Sequence, residues 1–199
     1  MSGSEILRIV IPALGVIVFA AILITFVRGR SARREQALIE LAARDGLKYT
    51  PGGRDFYQGS WPGRVAGVYH GRKLLFQYKD KPSMTPRGYN AANYWALLEI
   101  AVRNPTGSSL SLESRRGDVS IISKPRAFAA QAFGAGNLRQ RLTEITSQGR
   151  GRINLIRGGD TLTFTANRVF RSPAELMELV DALSDLADAV EAQPAQAAG

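Results

Sequence analysis

The sequence predicts an α+β protein in which an N-terminal transmembrane helix is followed by a mostly antiparallel sheet packed with a C-terminal amphipathic helix. Three observations lead there. Residues 9–27 run for 19 positions without a charge, short segments between residues 47 and 165 alternate apolar and polar side chains with period two, and the stretch from Ser172 opens with helix-start signals before an apolar stripe at helical spacing. Strands and helices come in blocks and no fixed period recurs, which argues against a repeat array. The expected organisation is a short tail and transmembrane helix over 1–27, a basic juxtamembrane segment and stem helix over 28–46, an α+β domain over 47–192 and a frayed tail over 193–199.

The apolar run from Ile9 to Val27 would span roughly 28 Å as a helix, against a hydrocarbon core of about 30 Å. Pro12 falls in the first turn or two, where a missing N–H costs least, and Arg8 is close enough to the end to snorkel. A cleaved signal peptide is disfavoured because the run is too long and Glu5 precedes it. Arg28, Arg30, Arg33 and Arg34 crowd the C-terminal flank while Arg8 stands alone on the other, so the positive-inside rule places the domain in the cytoplasm. These four arginines are the candidate membrane-surface contacts. A topology signal is their simplest role, and contact with anionic headgroups is the second.

Ser31 to Asp45 places Ala37, Leu38, Leu41 and Ala42 at helical spacing and stops at Gly46. Its apolar stripe is thin, so packing on the domain is favoured over lying on a bilayer. Leu47–Thr50 is a short strand, broken by Pro51-Gly52-Gly53. Arg64–Tyr69 and Arg72–Lys79 form a hairpin about His70-Gly71, with Leu74, Phe76 and Tyr78 on one side. Residues 80–93 hold two prolines and no periodicity and are expected to loop. Tyr94–Arg103 alternates most regularly and is expected to be central. Leu110–Ser114 and Val119–Ser123 are shorter strands about a turn at Arg115-Arg116-Gly117-Asp118. Helices are predicted over Pro125–Phe133 and Leu138–Gln148, then a hairpin of Arg152–Arg157 and Thr161–Thr165. The last helix has Ser172 as N-cap, Pro173 at its first position and Glu175 completing a capping box. Leu176, Leu179, Val180, Leu183, Leu186 and Val190 form its stripe, which should close the core.

Composition narrows the chemistry. The 199 residues include no cysteine and one histidine, which excludes disulfides, thiolate metal sites and cysteine nucleophiles. Hydrophobic residues at 45% and charged residues at 22% suit a folded domain. The net charge is +9, unevenly distributed: residues 172–199 hold six acids and no base, while the bases gather on the body. That split leaves room for a single basic face.

Candidate sites read weakly. His70 at a hairpin tip lacks metal partners, and Asp80 and Asp118 read as solvated turn acids. Gly134-Ala135-Gly136-Asn137 ahead of a helix has the look of a phosphate cradle, with Arg139 and Arg141 as its test positions. No clear strand precedes it, and neither a third glycine nor a Walker lysine follows. Gly149-Arg150-Gly151-Arg152 and Arg157-Gly158-Gly159 look like nucleic-acid tracts but lack interleaved aromatics, so nucleic acid is not an expected partner. No G-x-S-x-G occurs. No catalytic residue, cofactor or metal is expected.

The order of parts resembles a group of uncharacterised bacterial single-pass membrane-anchored proteins. The likeness rests on the arginine-rich exit, the helix ending Leu41-Ala42-Ala43-Arg44-Asp45-Gly46 followed by Leu47-Lys48-Tyr49-Thr50-Pro51, and the strand pair around Gly67-Val68-Tyr69-His70-Gly71-Arg72. It implies a membrane location and carries over no functional residue. The expected function is a membrane-anchored, non-enzymatic interaction or scaffolding module, with the bilayer and a protein as partners. The alternative is a peripheral binder of anionic lipid or another polyanion, using the four arginines with Arg115 and Arg116.

Overall fold

The computed structural model describes residues 33–44, 46–55, 59–61, 63–80, 94–115, 118–134, 136–148, 150–170 and 172–194. Ten strands are described: β1 (Leu47–Thr50), β2 (Gly53–Asp55), β3 (Gly59–Trp61), β4 (Arg64–Tyr69), β5 (Arg72–Asp80), β6 (Tyr94–Ala101), β7 (Ser109–Arg115), β8 (Asp118–Lys124), β9 (Arg152–Leu155) and β10 (Thr161–Ala166). The helices are α1 (33–42), α2 (Arg126–Ala132), α3 (Leu138–Ser147) and α4 (Pro173–Glu191). Eight strands form one sheet in the order β1-β4-β5-β6-β10-β9-β7-β8, every pairing antiparallel, and β2–β3 is a separate hairpin. The α+β class and the antiparallel sheet are as predicted, and β6 is central.

The expectation of a fold headed by a transmembrane helix is corrected. Among the described residues no helix is long and apolar enough to cross a membrane. The longest, α4, has 19 residues but carries six carboxylates, so its polar face needs water and ion pairs rather than lipid. The tail and span predicted over residues 1–27 lie outside the described residues, as do Arg28, Arg30, residues 81–93 and Arg116.

Period-two patterning sets the two faces of the sheet. On the inner face the register lines up Val65, Phe76, Leu98, Phe164, Ile153 and Leu112 across six strands, all fully buried. A second row runs Leu74, Ile100, Leu162, Leu155 and Leu110. The apolar stripe of α4 packs on this face with Leu176, Leu179, Val180, Leu183, Leu186 and Val190 fully buried. The stem helix α1 joins the same core through Ala37, Leu38 and Leu41, confirming that it packs on the domain.

Local chemistry explains the joints. His70 (φ 48°) and Gly71 (φ 77°) both take positive φ, the two-residue turn whose twist suits an antiparallel hairpin. Gly46 ends the α1 segment at φ 82°, and a Cβ there would lie 2.1 Å from the Val68 carbonyl oxygen. The capping box of α4 does not form. Ser172 holds the extended N-cap backbone without a side-chain cap bond, and Glu175 instead meets Arg168 at 2.6 Å.

Candidate functional site

Five of the six carboxylates of α4 are engaged by arginines from across the fold. Arg44 at the end of α1 reaches Asp181 at 2.8 Å, Arg72 on β5 reaches Asp188 at 2.6 Å and Glu191 at 3.0 Å, Arg141 on α3 reaches Asp185 at 2.7 Å, and Arg168 reaches Glu175. The charge split between body and last helix is therefore structural in large part. Tyr69 donates to Asp181 at 2.7 Å, and the Arg44 guanidinium bonds the same phenol oxygen while lying over its ring. Burial and the neighbouring Asp181 carboxylate raise the Tyr69 phenol above its ordinary range. Burial would raise Glu191, but the Arg103 N–H and the Arg72 guanidinium outweigh it and hold the carboxyl below its ordinary range.

Beside this network a cleft of about 660 Å³ is lined by His70, Arg72, Lys73, Arg103, Asp160 and Glu191, among others. Its acids and bases largely answer one another. Nothing in it pairs a nucleophile with a base, and among the described residues no group of His, Asp and Glu could hold a metal ion.

The outward face of the sheet is different. Across β1, β4 and β5 the register places Lys48, Thr50, Arg64, Ala66, Val68, Lys73, Leu75, Gln77 and Lys79 on the side away from the helices. Lys48, Arg64, Lys73 and Lys79 are all exposed, and no acid stands on this side of the three strands. The four cations spread along about 20 Å of strand. Val68, 50% exposed, lies beside Lys73 at the turn end. The other half of the same face is mixed, with Glu113 opposite Arg152 and both Asp118 and Lys124 on β8.

The residues singled out from the sequence are scattered. Arg33 is exposed at the start of the described chain, whereas Arg34 is half-buried on the helix side, 5.8 Å from the centre of the Tyr78 ring. His70 stacks on Tyr69 with ring centres 4.1 Å apart, as a turn residue. Asp118 is exposed at the start of β8. Gly136 and Asn137 precede α3 beside a shallow groove, and Asn137 makes no side-chain cap bond. Arg141, a test position for the phosphate cradle, is committed to Asp185. The grouping of Lys48, Arg64, Lys73 and Lys79 was missed, although the alternation of β4 and β5 carries it once β1 is paired with β4.

The chain matches no family model, no curated protein and no solved structure, so this surface is read from its chemistry alone.

Proposed function

We propose that the chain is a non-enzymatic interaction module that docks an acidic partner on the outward face of β1, β4 and β5. The observation that carries this reading is the set of four exposed cations on that face with no acid among them. Five of the six α4 carboxylates are already committed to Arg44, Arg72, Arg141 and Arg168, leaving Glu178 exposed on the helix side of the sheet. An acidic surface meeting the face gains steering and register from it, while Val68 offers an apolar contact beside Lys73. The test is capture of partners by the natural chain and by a variant with Lys48, Arg64, Lys73 and Lys79 all changed to Glu. Partners retained by the natural chain and lost by the variant support the reading, and an unchanged set contradicts it.

A second reading puts an anionic lipid headgroup on the same face, aided by Arg28, Arg30 and Arg33. Each cation near an anionic leaflet is worth about 1 kcal/mol, so the face would add a salt-sensitive attraction. A membrane location is a separate proposal, with the domain on the cytoplasmic side. Its support is the uncharged run over residues 9–27 and the arginines after it, not the described fold. A chain beginning at Arg28 that sediments with acidic but not neutral vesicles, and releases in salt, would favour lipid. No sedimentation at low salt leaves an acidic protein as the occupant.

A further inference from the structure

The two edges of the eight-stranded sheet are unlike. β1 is four residues long, carries exposed Lys48 and runs into Pro51, the devices that blunt an edge against further pairing. β8 is seven residues long, pairs among the described residues with β7 alone and holds no proline, and its charges are confined to its two ends. Between Asp118 and Lys124 it reads Val119-Ser120-Ile121-Ile122-Ser123. Ile122 is 63% exposed on the outward face. Val119 and Ile121 are half-buried on the other face, where they line a groove of about 410 Å³ against α3. A seven-residue edge whose interior carries no charge adds a strand readily.

We propose that β8 pairs with β8 of a second copy of this chain, antiparallel about a two-fold axis at Ile121, so that the two sheets become one. The strand is self-complementary in that register. Asp118 falls opposite the second copy's Lys124, and Lys124 opposite its Asp118. Ser120 faces the second copy's Ile122, and the two Ile121 side chains face each other over the ends of the two grooves. This centre brings all seven residues into the ladder and satisfies both charges. Moving it to Ser120 leaves Lys124 without a partner residue, and moving it to Ile122 leaves Asp118 without one. Because an isologous contact closes on itself, the product is a dimer rather than a fibre.

The inference deepens the interaction-module reading by naming one partner, but it uses the opposite edge of the sheet from the basic face. Failure of self-pairing leaves the basic-face reading standing, and failure of charge reversal on β1, β4 and β5 leaves this one standing.

The test is sedimentation of the full chain in mild detergent over a range of concentrations, with Asp118→Lys, Lys124→Asp and the double substitution. Each single change sets like charges opposite one another twice per dimer and should weaken association about tenfold. The double change restores the opposite pairing and should return the dissociation constant to near the natural value. Both positions are exposed, so the fold should survive, as circular dichroism would show. Independently, Ile121→Cys in this cysteine-free chain places two thiols on the axis with Cβ atoms about 4.5–5.5 Å apart. Mild oxidation should then give a covalent dimer, while Ile156→Cys, at a position 72% exposed in a turn, should not. A chain that stays monomeric, a dimer indifferent to both single substitutions, or equal cross-linking at residues 121 and 156 would overturn the proposal.

Discussion

Arg72 and Glu191 meet at 3.0 Å, tying the strand that leaves the β4–β5 turn to the last turn of α4. The Arg72 Nε donates to the same carboxylate, and the Arg103 N–H donates to it at 2.9 Å. Three parts of the chain far apart in sequence are fastened at one carboxyl group.

That arrangement makes stability depend on pH. The Glu191 carboxyl lies below its ordinary value of 4.5 in the folded chain. Its stabilisation is therefore complete above the unfolded value and is lost as pH falls through the lower folded one. Glu191→Gln should flatten the acid limb of stability against pH. Urea melts from neutral to strongly acidic pH should show the natural chain ahead at neutral pH and the gap closing on acidification. A constant gap would contradict the assignment.

The Arg44, Tyr69 and Asp181 cluster should behave as a coupled unit. Asp181→Ala and Tyr69→Phe should each cost about 1 kcal/mol, discounted for the partial exposure of the ion pair. The double variant should cost less than the sum, because both changes remove the same bond. Additive losses in denaturant melts would show that the phenol and the carboxylate act separately.

Gly46→Ala should cost about 2 kcal/mol or more, since it combines positive φ with a Cβ driven into the Val68 carbonyl oxygen. Gly71→Ala is the comparison: it has a similar φ, but a Cβ there would meet nothing within 4 Å. Thermal melts should rank Gly46→Ala as clearly the worse.

Ser184 lies buried in α4, and its Oγ has no hydrogen-bond partner among the described residues. Ser184→Ala removes the unsatisfied hydroxyl and adds helix propensity, so a gain of about 0.5–1 kcal/mol is expected. A loss on the same assay would mean that the hydroxyl is bonded in solution.

The local elements were legible because local patterns determine them. Alternation marked β4, β5 and β6, and the 3.6-residue stripe marked α4. What could not be read was arrangement. Nothing in the run from Leu110 to Ser123 says that β7 and β8 continue the sheet beyond β9, so the unblunted edge at β8 was out of reach. The β2–β3 hairpin was missed because Pro51-Gly52-Gly53 reads as a break, although Gly53 begins β2. The capping box at Ser172 failed because Arg168 competes for Glu175, a contact that spacing along a helix does not reveal. The basic face required the β1–β4 register, since Lys48 and Arg64 are far apart in sequence and come together only when Thr50 pairs with Arg64.

The most direct test of the basic-face account is photo-cross-linking in living cells from a reactive residue at Val68, exposed beside Lys73 at the turn end of the basic face, with Glu178 on α4 as the comparison position. The account predicts adducts from Val68 that vanish when Lys48, Arg64, Lys73 and Lys79 are all changed to Glu, and few from Glu178. Equal cross-linking from both positions, or adducts from Val68 that survive the charge reversal, would contradict it.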